Sequence, residues 1–186
     1  MRILAVSGSL RAGSFNTSLL RAALEAAPEG VELELWEGLG DLPLYDQDLE
    51  TDDVPESVRR LREDWAAADA ILFSTPEYNG SVPGGLKNAI DWASRPQLEG
   101  VLRNKTVAVV GASTGQFGAL WAQQDLKRIL GVAGARVVGT EIPVTRAHER
   151  IDPEGRLLDG EIFEQLRLHL TTLASEAVAA ADRVAA

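Results

Sequence analysis

The chain has 186 residues, 45% hydrophobic and 25% charged, with a formal net charge of −10 and no cysteine. That balance suits a soluble globular protein. It excludes disulfide and thiolate chemistry, and it argues against a nucleic-acid partner, which needs a basic face. An anionic ligand must therefore be held by local donors against the global field.

Two histidines, His148 and His169, leave little for a histidine-based metal site or triad. Each is expected at the surface, and no metal is expected. The run Arg2–Val6 is too short for a signal sequence, and no run approaches membrane-spanning length. A cytoplasmic protein without a membrane partner is expected, folded as a single domain over residues 1–186.

Arg2–Val6 is a short aliphatic run of the kind found in a buried parallel strand. After the loop Ser7–Thr17, the residues Leu19, Leu20, Ala23, Leu24 and Ala27 mark one face of a helix. Val31–Trp36 alternates as an edge strand does. Gly38–Asp53 is a Gly-, Pro- and Asp-rich connection, and Asp53 with Glu56 has the form of a capping pair opening the next helix. That helix buries Val58, Leu61, Trp65 and Ala68.

Ala70–Ser74 is a third, central strand. The loop Pro76–Gly85 leads to a helix with Leu86, Ala89, Ile90 and Ala93. Thr106–Val110 is a fourth strand, followed by a helix with Ala122, Leu126, Ile129, Leu130 and Ala133. Arg136–Val138 opens a fifth strand, and Pro143–Leu158 is polar and irregular. Asp159 caps a final helix with Phe163, Leu166, Leu170, Leu173 and Ala177 facing inward.

Alternating strands and helices imply an α/β fold with a parallel sheet covered on both faces. Right-handed crossovers and five strands suit the flavodoxin-like three-layer sandwich, order 2-1-3-4-5. The crevice then lies at the ends of strands one, three and four, lined by Ser7–Thr17, Pro76–Gly85 and Gly111–Gly118. These loops are also the richest in Gly, Ser, Thr and Asn. Topology and composition agree.

The first loop offers hydroxyls, backbone N–H groups and a helix N-terminus to an anion, and Arg11 adds a fork suited to phosphate. Ser9, Ser14 and Asn16 also serve as plain helix caps and turn residues, and the spacing matches neither common Gly-rich phosphate motif. In the second loop, Pro76 and Gly80 allow a backbone that presents N–H groups edgewise to a planar ring, with Tyr78 able to cover a ring face. The alternative is a rigid surface loop with Tyr78 packed on its neighbours.

Ser-Gly-Ser-Leu-Arg-x-x-Ser-x-Asn at 7–16, with Pro-Glu-Tyr-Asn-Gly-Ser-x-Pro-Gly-x-Leu-Lys-Asn-Ala-Ile-Asp-Trp at 76–92, resembles the NADPH-dependent FMN reductase family, which includes flavodoxin-like quinone, azo-dye and chromate reductases. The resemblance spans nearly the whole chain. It implies an FMN phosphate held by Ser9, Arg11, Ser14, Asn16 and Thr17 with backbone groups of Phe15. It implies an isoalloxazine bordered by Pro76, Glu77, Tyr78, Asn79 and Gly80, largely through main chain, and by Ser113 with Thr114 and Gly115. It departs from the family pattern at Gly118-Ala-Leu-Trp121, which bears on subunit contacts or the substrate mouth.

By that resemblance the chain is a two-electron oxidoreductase using NADPH or NADH. A small-molecule acceptor is expected, a quinone first, with azo compounds, chromate, ferric complexes or free flavin behind it. The flavin carries the hydride and no catalytic side chain is named; Glu77 is given a loop-holding or ion-pair role. A homodimer, or a homotetramer, is expected, with Trp92 and Trp121 as candidate contacts.

A flavodoxin electron carrier shares the fold but typically lacks an arginine such as Arg11 in its phosphate loop. A signalling receiver domain needs acidic residues where Ser7-Gly8 and Ser74-Thr75 stand. A flavin-free scaffold is the third rival, and its signature is the absence of bound flavin.

Overall fold

The computed structural model describes residues 1–51 and 53–185; residue 52, inside the Gly38–Asp53 connection, lies outside them. The chain runs β1 (Arg2–Ser7), α1 (Phe15–Glu25), β2 (Glu32–Trp36), α2 (Glu56–Ala67), β3 (Ala70–Thr75), α3 (Gly84–Ala93), β4 (Thr106–Ala112), α4 (Leu120–Val132), β5 (Arg136–Val137), β6 (Pro143–Val144), α5 (Ala147–Arg150) and α6 (Gly160–Ala185). All pairings between these strands are parallel, in the order β2-β1-β3-β4-β5. The expected flavodoxin-like order is therefore observed.

Strand alternation divides the core in two. Ile3, Ala5, Leu72, Ala108 and Val110 face α1 and α6. Leu4, Val6, Ile71, Phe73, Val107 and Val109 face α2, α3 and α4. Because β3 and β4 are buried on both faces along their whole length, they read as continuous apolar runs. At the edge, β2 alternates exposed acids with inward residues, as its sequence pattern requires.

The fifth strand departs from expectation. It is broken into β5 and β6, both paired to β4, and the register slips from Val107 opposite Val137 to Gly111 opposite Pro143. His169 of α6 accounts for the break: it is only 7% exposed and packs against Gly139, where an added Cβ would lie 2.4 Å from its Cε1. The ring also faces the Val109 carbonyl of β4. Lys127 closes the bulge by donating to the Gly139 carbonyl (2.8 Å) and pairing with Glu141 (3.2 Å). His169 is thus a core residue, contrary to the surface position expected for it, whereas His148 is exposed.

Burial, helped by Lys127, lowers the His169 pKa to about 4, while Glu141 and the Val109 carbonyl pull the other way. Between its ordinary 6.5 and about 4, the unfolded chain binds a proton that the folded chain refuses. Stability therefore falls as pH drops through that window. We predict a loss of about 2–3 kcal/mol between pH 7 and 4.5, and a visibly flatter profile for His169→Leu. Urea midpoints across the window check this, and parallel profiles would refute it.

Three smaller corrections follow from packing. The helix α2 begins at Glu56 behind Pro55, whose carbonyl accepts from Val58 and Arg59, and no side chain caps it. The Asp53–Glu56 capping pair does not form because Glu56 turns to Arg59 instead. The segment expected to be irregular contains β6, α5 and an Ile151–Leu157 bridge. Trp92 is fully buried, donating from its ring nitrogen to the Pro43 carbonyl at 2.9 Å, so it is no surface contact. Asp159 does cap α6, accepting from Glu161 and Ile162 at 3.0 and 3.1 Å.

Candidate functional site

The C-terminal ends of β1, β3 and β4 lie level, with Ser7 beside Ser74 and Thr75 beside Gly111. Each strand delivers one loop to the same edge, the arrangement in which open α/β sheets hold ligands. Gly8 permits the close approach of the first two: its N–H donates to the Ser74 carbonyl at 2.8 Å, and a Cβ there would sit 2.8 Å from Leu86 Cδ2.

Ser14 ends the first loop as the N-cap of α1, accepting from the Thr17 N–H at 3.3 Å. The N–H groups of the first turn, from Phe15 and Asn16, have no intrahelical acceptor and point toward the cleft with the positive end of the helix dipole. Ser9 accepts from the Arg11 N–H at 3.3 Å. Arg11 is exposed and lies 5.2 Å above the Phe15 ring; among the described residues it has no carboxylate partner within ion-pair distance.

Two of the sequence candidates are occupied inside the protein. The Asn16 side chain is buried, donating to the Ala112 carbonyl at 3.0 Å and accepting from the Ala112 N–H at 3.0 Å and the Ser74 hydroxyl at 2.9 Å. It bolts the start of α1 to the ends of β3 and β4, leaving its backbone N–H to face a ligand. The Thr17 hydroxyl sits 2.9 Å from that of Ser7, bracing the loop from behind.

The second loop is a tight hairpin. Tyr78 and Ser81 exchange backbone hydrogen bonds of 3.0 and 3.1 Å around Asn79 and Gly80, at φ 53° and 77°. Positive φ at two consecutive residues favours an Asn-Gly pair, which is why that dipeptide stands here. The turn aims the exposed Asn79 and Gly80 outward, with Tyr78 half exposed beside them.

Helix α4 holds the hairpin at two points. Glu77 accepts from the Ala122 N–H at 3.2 Å, and the Ser81 hydroxyl donates to Asp125. The Ser81 hydroxyl, with Arg128, holds the Asp125 carboxyl below its ordinary range.

Ser113 anchors the third loop through backbone bonds to Val144 and Ala147 (3.1 and 3.0 Å). Gln123 is fully buried beneath it, accepting from the Ile142 N–H and donating to the Gly118 carbonyl. Sequence reading gave Gln123, Ser81 and Asp125 no role in the site. The one available signal was a glutamine on the apolar face of α4; nothing in the spacing links Ser81 to Asp125.

Together Ser9, Arg11, Ser14, Phe15, Asn16, Pro76, Glu77, Tyr78, Ala112, Ser113 and Thr114 line an open cleft of about 260 Å³. A larger hollow of about 410 Å³ between α3 and α4 is lined by Lys87, Arg95, Arg103 and Arg128 among others, and lies away from these loops. The cleft is the chemically coherent site, because donors for an anion and a rigid amide edge for a planar group converge there. Among the described residues no cluster of acids and histidines can hold a metal ion, and no helix is long and apolar enough to cross a membrane.

A family model described as NADPH-dependent FMN reductase matches residues 1–149. An NAD(P)H-dependent FMN reductase of Pseudomonas aeruginosa is 42% identical over 174 residues, covering 93% of each chain. A quinone reductase of Escherichia coli is 37% identical over 174 residues, covering 92% of this chain and 90% of that one. Among solved structures, the flavoenzyme NAD(P)H:(acceptor) oxidoreductase from Paracoccus denitrificans superposes with a TM-score of 0.83 at 35% identity, covering 94% of this chain and 97% of that one.

Proposed function

We propose a working mechanism for this chain, which belongs to the NADPH-dependent FMN reductase family: two electrons pass from NAD(P)H to a quinone in two half-reactions at one face of the cleft. The protein is an NAD(P)H-dependent FMN reductase of the quinone reductase kind, and FMN is its cofactor. When bound, FMN supplies the site that takes a hydride from the nicotinamide and passes it on. The balance is NAD(P)H plus a proton plus quinone giving NAD(P)⁺ plus hydroquinone. Azo compounds, chromate, ferric complexes and free flavin are further acceptors in this reading.

The observation that carries it is the pairing, across one cleft, of the capped α1 N-terminus and Arg11, which has no carboxylate partner among the described residues, with Pro76, Glu77 and Tyr78 of the second loop. This donor set fits FMN. The Ser9 and Ser14 hydroxyls, the Phe15 and Asn16 N–H groups and the Arg11 fork would hold the phosphate. Thr17 contributes as the hydroxyl paired to Ser7 behind the loop. Pro76, Glu77 and Tyr78 would border the ring, with Asn79 and Gly80 in the turn just beyond them. Ser113 and Thr114, which line the cleft, would border it from the third loop and supply dipoles to a developing negative charge.

No side chain is assigned as acid or base. The Glu77 carboxylate serves α4, and the open mouth lets water deliver the proton to the quinone. A homodimer, or a homotetramer, is part of the same reading; it is supported by the exposed apolar side chains Leu10, Tyr78, Phe117 and Trp121 near the cleft. A single domain and a cytoplasmic setting complete it.

The test is kinetic. Protein carrying FMN rather than FAD, identified by chromatography after heat release, gives parallel initial-rate lines when NAD(P)H is varied at several quinone concentrations. Intersecting lines mean a ternary complex and exclude the shared face.

A further inference from the structure

We infer that Asp125 of α4 is a positioning residue for the flavin ring: through the Ser81 hydroxyl it fixes the backbone that carries Tyr78 at the cleft. This rests on the reading above, in which Pro76, Glu77 and Tyr78 border the ring. Asp125 does not itself line the cleft.

Every link between them is a hydrogen bond. The Ser81 hydroxyl donates to Asp125 Oδ2. The Ser81 N–H donates to the Tyr78 carbonyl at 3.1 Å, and the Tyr78 N–H donates to the Ser81 carbonyl at 3.0 Å. Tyr78 lines the cleft beside Pro76 and Glu77. Both backbone polar groups of Tyr78 are thus spent on Ser81, and the side chain of Ser81 is spent on Asp125.

The turn alone does not hold Tyr78 in place. It fixes Tyr78 against Ser81, but an isolated hairpin has little stability of its own. Its tip is unpacked: apart from its chain neighbours, a Cβ built on Gly80 meets no atom within 4 Å. Anchorage comes from α4, where the Ala122 N–H donates to Glu77 at 3.2 Å and Asp125 accepts from Ser81. Residues three apart share a helix face, so the two anchors lie side by side.

The two anchors differ in what they serve. The α4 N-cap, Ala119, makes no side-chain cap bond, so Glu77 also satisfies one of the helix's free first-turn N–H groups. Asp125 stands beyond that turn and caps nothing. Arg128 orients it, donating to Oδ1 at 2.7 and 3.2 Å and leaving Oδ2 to Ser81. The Ser81 hydroxyl first, and Arg128 after it, hold the carboxyl below its ordinary range. The carboxylate is therefore charged at neutral pH, and its bond to Ser81 is charge-assisted.

Without this bond, Tyr78 has to be ordered again each time a ring arrives, at about the cost of one immobilised side chain. The phosphate, held by the first loop, is untouched. Flavin titrations of the full-length apoprotein separate the two ends. Asp125→Ala should weaken riboflavin and FMN by the same factor, about threefold to tenfold, whereas Arg11→Ala weakens FMN alone. Ser81→Ala should match it, and the double variant should be no worse than either single change, since all three remove one bond. Ser81→Thr keeps the hydroxyl and should bind both flavins as the wild type does. Ser81 and Asp125 are both partly exposed, so water takes over the lost bond and folding should survive; urea midpoints check this.

Additive losses in the double variant would mean that Asp125 and Ser81 act separately, and a loss confined to FMN would place the effect at the phosphate. Either result, or unchanged affinity for both flavins in Asp125→Ala and Ser81→Ala, overturns the role of Asp125 while leaving the reductase reading intact. A wild-type chain that binds neither FMN nor riboflavin overturns both.

Discussion

Asn16→Ala should lower folding stability by about 4 kcal/mol, because three buried hydrogen bonds disappear and each orphaned group carries a desolvation penalty of about 1–3 kcal/mol. The bonds run to the Ala112 N–H, the Ala112 carbonyl and the Ser74 hydroxyl, at 2.9–3.0 Å. No water reaches them readily, since Asn16 is 3% exposed and Ser74 not at all. The same change unlatches the start of α1 from the ends of β3 and β4, so the first-turn N–H groups lose their fixed aim. FMN affinity should fall with stability. Asn16→Asp keeps the acceptor but loses the donor and sets a carboxylate against the Ala112 carbonyl, so it should rescue little. Urea unfolding of apoprotein measures the effect; a loss below about 1 kcal/mol would mean that the bolt carries no weight.

Arg11→Ala should leave folding intact and weaken FMN. The side chain is exposed and has no carboxylate partner among the described residues, so little is lost from the folded state. A hydrogen bond to a charged group contributes about 1.5–3 kcal/mol, which is about tenfold to a hundredfold in affinity. Riboflavin, lacking the phosphate, should bind wild type and variant alike. Arg11→Lys should recover part of the loss, since a point charge cannot reproduce a bidentate fork. Flavin titrations of apoprotein decide it. Equal weakening of both flavins would make Arg11 a shaper of the cleft, and no weakening would return it to the solvent.

Both predictions concern residues named from the same loop, yet their roles differ in kind. Asn16 and Arg11 sit five positions apart in a stretch whose composition suggests only anion binding or capping. Once folded, Asn16 spends its side chain on strands whose residues lie 58 and 96 positions away, while Arg11 stays exposed above the Phe15 ring. Spacing within one loop carries no information about such partners.

Periodicity along the chain was enough for the architecture and for which three loops meet at one sheet edge. Continuous apolar runs at Ala70–Thr75 and Thr106–Ala112, an alternating edge at Glu32–Trp36 and amphipathic helices between them admit few sheets other than 2-1-3-4-5. In that order the three loops richest in small polar residues must meet. These signals are local, being periodicity along one chain segment, and local signals survive in the linear text.

Packing alone reveals which polar groups are spent on partners inside the protein. The carboxylate of Glu77 serves α4, Gln123 and Asp125 support loops they do not adjoin in sequence, and the fifth strand breaks around an imidazole from α6. Each depends on two segments arriving at one place, where a buried polar group must find a partner or displace a strand. That requirement belongs to the packed molecule, so the linear pattern that predicted the sheet could not place His169 inside it.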